Sequence, residues 1–264
     1  PITYYISPQI WAWKEKRIKV IKKYIDQMLV IFPFEENWYR KRGVNAKFVG
    51  HPIYNQWKPE SKNVICNKLN LNINNPIITI YPGSRKQEVE KHLPILLSVC
   101  KKLKNKNKDI QFVLGVAKYI KVKKWIIPGW IYINKDSPQK ALECADLALV
   151  ASGTSTVEAA VFGTPMIIIY KMSPLTWWIS KALVKVKYAG MVNIIANSMI
   201  MPEILQSEAT SKNIYNMAIK IISNKKILGK MQSDLILVQN LLKGSSQLKS
   251  ASDYIIELDN KNEV

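Results

Sequence analysis

Ile77-Ile78-Thr79-Ile80-Tyr81-Pro82-Gly83-Ser84-Arg85 joins an apolar run to a Gly-containing turn. Further along, Leu147-Ala148-Leu149-Val150-Ala151-Ser152-Gly153-Thr154-Ser155-Thr156-Val157-Glu158 repeats the arrangement. Each apolar run reads as a buried parallel strand, and each turn opens a helical pattern. A strand, a tight turn and a helix N-terminus together present free backbone N–H groups and the positive end of a helix dipole to an anion. Two such turns in one α/β unit point to a diphosphate held between them, and so to a nucleotide or a nucleotide-activated donor.

Outward from these turns, strands are expected at Ile77–Tyr81, Ile110–Gly115, Trp130–Ile133, Leu147–Val150 and Pro165–Tyr170. Helices fall between them at Lys86–Lys104, Pro138–Ala145 and Ser155–Val161. That alternation is a Rossmann-like unit. Upstream, Tyr4–Ser7, a Lys-rich helix over Lys14–Tyr24, Met28–Phe32, a short surface helix opened by Glu35 and Glu36, and Lys47–Val49 form a βαβαβ run ending at Gly50-His51-Pro52. It fits the second half of another doubly wound domain. The polar stretch 54–75, rich in Asn, Lys and Pro, reads as a linker. Downstream, Ile214, Met217, Ala218, Ile221 and Ile222, then Ile227, Met231, Leu235, Val238 and Leu242, recur at helical spacing.

The 264 residues carry 39 Lys and Arg against 19 Asp and Glu, a formal charge of +20. Such a balance suits nucleic acid or an anionic membrane, but Arg17, Arg40, Arg42 and Arg85 are the only arginines. Base readout favours the Arg fork, and no nucleic-acid-binding motif is visible, so nucleic acid is a minor reading. Lipid head groups need only point charges. Cys66, Cys100 and Cys144 are widely spaced, and His51 and His92 are the only histidines. No metal or redox spacing results, and unpaired cysteines suit a reducing compartment. No apolar run approaches the roughly eighteen residues that would nominate a membrane-spanning helix. The chain starts at Pro1 and reads at once as a strand, which looks like a segment of a longer protein.

Each candidate residue has a functional and a structural reading. Arg85 can bond a phosphate bidentately, or Ser84 caps the helix with Gln87 completing a capping box and Arg85 is a solvated charge. Glu158, about one turn into its helix, can accept from ribose hydroxyls, or it closes a second box with Ser155. Asn193, inside the apolar run Gly190–Ile195, is a structural amide or a sugar ligand. From Ser173-Pro174 a helix is expected with Leu175, Trp178, Ile179, Ala182, Leu183 and Val186 inward. Trp177, Lys181 and Lys185 then form an aromatic, basic face suited to a head-group layer, or an ordinary surface.

Six stretches carry a family resemblance: Tyr5-Ile6-Ser7-Pro8-Gln9-Ile10-Trp11-Ala12-Trp13, Phe32-Pro33-Phe34-Glu35, Phe48-Val49-Gly50-His51-Pro52, Pro82-Gly83-Ser84-Arg85, Ala151-Ser152-Gly153-Thr154 with Glu158, and Val192-Asn193-Ile194-Ile195. In order and spacing the whole chain resembles the lipid-A-disaccharide synthases, bacterial glycosyltransferases of the GT-B class. The resemblance implies an α/β fold of GT-B type: residues 1–53 as the end of an acceptor-side Rossmann-like half, 54–75 as linker, 76–205 as a complete UDP-binding half, and 206–264 as helices packing back on both. It implies transfer of diacylglucosamine from its UDP derivative to diacylglucosamine 1-phosphate, in lipid A biosynthesis. Gly83, Ser84, Arg85, Ser152, Gly153 and Thr154 would then meet phosphate, Glu158 the ribose, Asn193 would be an active-site position and His51 would line the cleft. No metal or cofactor is implied, and the protein would sit peripherally on the cytoplasmic face of the inner membrane, at an anionic lipid surface.

Two substitutions depart mildly from the family pattern, Val192 for Pro and Val157 for Leu. The family's Gly-rich acceptor loop and general base correspond to a region upstream of Pro1, so these 264 residues are expected to hold UDP without catalysing transfer. Rival readings are another GT-B-like UDP-sugar enzyme such as a UDP-GlcNAc 2-epimerase, which would not carry the Ser7–Trp13 run, and a basic module binding lipid or nucleic acid, against which a complete nucleotide fold argues.

Overall fold

The computed structural model describes residues 1–122, 125–173, 186–245 and 247–260. The described chain divides into two compact units, one containing Pro1–Trp57 and the residues from Val238 onward, the other lying within 58–174 and 188–237.

In the first unit, β1 (Thr3–Tyr5), α1 (Ile10–Trp13), a 3-10 turn (Glu15–Arg17), α2 (Ile18–Tyr24), β2 (Gln27–Val30), α3 (Pro33–Arg40), β3 (Ala46–Phe48) and α4 (Pro52–Gln56) follow in order. The sheet is parallel, with order β1-β2-β3, and its central strand is wholly buried. Ile10, Ile21, Met28, Val30, Tyr39 and Phe48 form its core. The helix expected over Lys14–Tyr24 opens with the 3-10 turn and is α-helical only from Ile18. Glu35, expected on the surface, is 1% exposed. It is buried because it turns back as a cap: Phe32 N–H donates to Oε2 at 3.2 Å, while Ser7 Oγ and Trp11 Nε1 donate to Oε1 at 2.8 Å each.

The second unit runs α5 (Lys62–Lys68), β4 (Ile77–Tyr81), α6 (Lys86–Lys106), β5 (Gln111–Gly115), β6 (Ile131–Asn134), α7 (Pro138–Glu143), β7 (Leu147–Ala151), α8 (Thr154–Val161), β8 (Met166–Tyr170), α9 (Met191–Ala196), β9 (Glu203–Leu205), α10 (Ser211–Ile222) and α11 (Lys225–Lys243), whose last residues belong to the first unit. There α12 (Ala251–Asn260) follows. Six parallel strands lie in the order β6-β5-β4-β7-β8-β9. That is the doubly wound order, reversing direction between β4 and β7. Ile77, Ile78, Thr79 and Ile80 are all fully buried, as continuous apolar runs are in a parallel sheet covered on both faces.

One further expectation is corrected here, and one strand is added. The stretch read as a linker carries α4 and α5, and Ile65, Cys66 and Leu69 pack with Ile77, Val113, Ala141 and Cys144. From Lys58 onward it therefore belongs to the nucleotide-type unit; Asn63, Asn67 and Lys68 lie on the outer side of the short helix α5. The three-residue β9 was not expected, because its segment Glu203-Ile204-Leu205 is too short to show a period. The aromatic and basic face at Trp177, Lys181 and Lys185, with its inward partners from Leu175 to Leu183, lies outside the described residues.

Candidate functional site

Where a doubly wound sheet reverses, the loops at the carboxyl ends of the two central strands diverge to opposite faces and leave a crevice. Here those strands are β4 and β7. Their register pairs Tyr81 with Val150, so the turns at 82–85 and 152–154 leave the sheet side by side. Both anion-type turns of the sequence thus meet at one place.

The first turn is locked from three directions. Glu88 accepts from the backbone N–H groups of Ser84 (3.1 Å) and Arg85 (3.2 Å) through Oε2. His92, fully buried, bonds Pro82 O through Nδ1 at 2.9 Å, and Tyr119 Oη donates to Ser84 O at 2.7 Å. Gly83 has φ +119°, and a Cβ there would lie 2.6 Å from Glu88 Oε2; both backbone and space require glycine. The helix cap is Arg85, not Ser84, and Glu88 takes the place given to Gln87. Glu88 occupies the N–H groups of Ser84 and Arg85, so the charged group the turn can offer to a phosphate is the Arg85 guanidinium. That side chain is 82% exposed and pairs with Glu88 Oε1 at 3.3 Å. Such exposed pairs hold by at most about 1 kcal/mol, which leaves the guanidinium free to turn to a ligand.

The second turn is built differently. Gly153 has φ +145° and ψ −155°, a region essentially closed to other residues, and a Cβ there would meet nothing within 4 Å. Conformation rather than crowding demands this glycine, and open space lies before it. Ser152 is already committed: its N–H donates to Ile169 O at 2.9 Å and its hydroxyl to Ala189 O at 2.7 Å. It anchors the turn, while Gly153 and Thr154 are exposed at the start of α8.

Because Gly153 is the N-cap, Glu158 falls beyond the first turn of α8 and closes no capping box with Ser155, whose hydroxyl donates to Ala151 O instead. Glu158 turns to the other strand, toward the Tyr81 hydroxyl, which favours the charged carboxylate. Its Oε2 is buried with no hydrogen-bond partner. Burial is the main reason its pKa is raised, opposed by the Tyr81 hydroxyl. The same burial, with Glu158 adding to it, raises Tyr81 and keeps that hydroxyl a donor. The Tyr81 ring in turn needs Gly115, where a Cβ would come within 2.7 Å of it.

Asn193 is fully buried and saturated. Nδ2 donates to Met201 O and Glu203 Oε1 at 2.8 Å each, and Oδ1 accepts from Ile200 N (3.0 Å) and Met201 N (2.9 Å). In this structure its hydrogen bonds are all made within the protein. Asn193 orients Glu203, whose carboxylate accepts from Ala189 N and Gly190 N at 2.9 Å each. His51, in the first unit, is buried as the cap of α4; Nδ1 accepts from Ile53 N at 3.3 Å, and burial lowers its pKa to about 4.

Sequence reasoning passed over Tyr81, Glu88, His92 and Glu203. For Glu203 a signal was present, a lone acid within Met201-Pro202-Glu203-Ile204-Leu205 in an acid-poor chain. For Tyr81 and His92 there was none, since both read as members of apolar stripes. Among the described residues no cluster of three or more His, Cys, Asp or Glu could hold a metal ion, and none of their helices is long and apolar enough to cross a membrane.

The sheet order and the crevice define a doubly wound nucleotide-type unit, and the GT-B fold is shared with solved structures that include glycosyltransferases. One of them, Anabaena Alr3699/HepE in complex with UDP and glucose, is 12% identical with a TM-score of 0.52, covering 100% of this chain and 71% of that one. Residues 1–255 match the lipid-A-disaccharide synthetase (LpxB) family, and the chain belongs to it. A lipid-A-disaccharide synthase of Coxiella burnetii (strain CbuK_Q154) is 39% identical over 87% of this chain and 63% of its own length. Lipid-A-disaccharide synthase 1 of Legionella pneumophila (strain Lens) is 39% identical over 99% of this chain and 70% of its own. The chain therefore spans less than two thirds of the length of the Coxiella relative.

Proposed function

We propose that the second unit binds the UDP moiety of a UDP-linked 2,3-diacylglucosamine. The protein would then serve the joining of that sugar to 2,3-diacylglucosamine 1-phosphate, which yields a β-1,6-linked disaccharide and UDP. The observation that carries the donor reading is the open Oε2 of Glu158, a buried acceptor without a donor, beside two turns suited to a diphosphate. A buried acceptor left unpaired is costly, and a ribose hydroxyl supplies the missing donor. Arg85 and the first turn of α8, through Gly153 and Thr154, meet the diphosphate and stabilise the charge that grows on it as the glycosidic bond breaks. Ser152, Glu88, His92 and Tyr81 hold these groups in place.

The family and the names of the relatives support the lipid substrates. The +20 charge supports an anionic surface, on the cytoplasmic face of the inner membrane, as the place where those lipids are met. Residues 1–264 are expected to bind UDP without forming disaccharide. Glu35 is committed to other hydrogen bonds, Glu158 is assigned to the ribose and His51 is a buried cap. Absence of a base typically costs about 10²–10⁴ in rate.

Calorimetry with UDP tests the donor site. Arg85→Ala should weaken binding by about 1.5–3 kcal/mol, the worth of a charge-assisted bond, and affinity equal to the parent's would remove Arg85 from the site. In detergent micelles containing both diacylated sugars, the Legionella relative should form disaccharide and residues 1–264 should not. Turnover within about tenfold of the relative's would place a working base in this chain.

A further inference from the structure

The sequence supplies two histidines, and the donor reading uses neither as a ligand. Yet His92 is fully buried on the face of α6 that covers the sheet, and it is bonded at both ring nitrogens. Nδ1 lies 2.9 Å from Pro82 O, at the mouth of the first turn, and the Lys171 N–H donates to Nε2 at 2.9 Å, where the chain leaves β8. A carbonyl can only accept and a backbone N–H can only donate. The ring must therefore carry its hydrogen on Nδ1 and a lone pair on Nε2. We propose that His92 is a positioning residue of the donor site, a neutral imidazole that ties the Pro82–Arg85 turn to Lys171 at the end of β8 and gives up the Lys171 bond when it is protonated.

This reading rests on the donor site proposed above and adds its control. β7 lies between β4 and β8 in the sheet, so the side chain links the ends of two strands that do not pair with each other. Protonation puts a hydrogen on Nε2 facing the Lys171 N–H. In a buried site no water replaces the lost bond. The surrounding groups set where this occurs. Burial lowers the pKa of His92 most and Lys91 lowers it further, while the Pro82 carbonyl and Glu88 oppose them; the Lys171 N–H, bonded to the lone pair, favours the neutral ring. From β8, Tyr170 presents its ring 5.9 Å from the imidazole. From α10, Ser211 bonds Lys102, well along α6 from His92. The release is therefore expected below the ordinary histidine range. Glu88 also holds the N–H groups of Ser84 and Arg85, so the residue that steadies the turn also acts on the charge of the residue that anchors it.

The test measures UDP affinity of the 264-residue chain by calorimetry from pH 7.5 down to 4.5, for the parent, His92→Gln, His92→Leu and Arg85→Ala. Gln offers an amide donor and an acceptor that do not titrate, whereas Leu offers neither. The nucleotide's own phosphate, with a pKa near about 6, titrates alike in every sample and cancels in ratios. At pH 7.5 His92→Leu should bind about fivefold more weakly than the parent, the scale of one neutral hydrogen bond, with His92→Gln closer to the parent. At the acid end the parent should lose about fivefold more affinity than either variant. Should His92→Leu fail to show the parent's cooperative thermal unfolding, the parent and His92→Gln profiles alone decide. Identical pH profiles in parent and His92→Gln, with Arg85→Ala still weakened, would overturn the His92 assignment and leave the donor site standing. No UDP binding by the parent would overturn both.

Discussion

Two carboxylates, each on the helix that follows a central strand, were buried by the fold with opposite results. Glu35, on the helix after β2, has both oxygens engaged, by Ser7, Trp11 and the Phe32 backbone. Glu158, on the helix after β7, has the Tyr81 hydroxyl and an Oε2 with no partner. Burial raises the pKa of both, so neither burial nor the pKa direction separates them. The vacant acceptor does. Glu35 gathers the two most distinctive motifs of its unit, Ser7–Trp13 and Phe32–Glu35, into one hydrogen-bonded knot that serves the fold. Glu158 presents an unmet acceptor, which the proposed donor site fills with a ribose hydroxyl.

The largest effect should come from breaking the saturated carboxylate. Glu35→Ala strands the Trp11 indole N–H and the Phe32 N–H in a buried place, and should cost about 3 kcal/mol or more of stability. Thermal unfolding that matches the parent's would show that the knot carries no weight. A smaller and different effect is expected at the open carboxylate. Glu158→Gln should leave the fold intact and reduce the preference for UDP over 2′-deoxy-UDP by about 1–2 kcal/mol. If the variant discriminates as well as the parent does, the ribose is held elsewhere.

The smallest effect concerns pH. A raised pKa means that the folded protein holds the Glu158 proton where the unfolded chain has lost it. Its stability contribution is fully present below the ordinary 4.5 and is lost as pH rises through the raised value. UDP affinity should move oppositely over that window, because the ionised carboxylate is the better acceptor. Glu158→Gln should abolish its share of both trends. Denaturant midpoints and UDP titrations compared across that range check this, and unchanged slopes in the variant would assign the titration to another group.

Much of the fold was legible. The runs at Ile77–Tyr81 and Leu147–Val150 announced buried parallel strands because both sheet faces are covered, and the Gly turns after them announced the crevice. The misreadings share a physical cause. Glu35 sits in a Glu-Glu pair that looks solvated, Glu88 was passed over for Gln87 because the cap shifted by one residue, and His92 occupies a core position of an amphipathic helix. In each case a polar group was placed by a hydrogen bond to a partner distant in sequence or by a one-residue change of backbone phase, and local spacing records neither. Asn193 shows the converse, a polar residue in an apolar run whose partners turned out to be entirely internal.

By itself the sequence determined the strand and helix alternation, the two glycines at the turns and the family resemblance, because these follow from local conformational freedom and from burial patterns with a period. Tertiary structure alone decided which polar groups are spent and which are open. The pairing of β4 with β7 brings Tyr81 to Glu158, α6 carries His92 between Pro82 and Lys171, and β9 sets Glu203 against Asn193. Hydrogen-bond satisfaction is a property of atoms brought together from distant positions, so it exists only once the strands are ordered in the sheet.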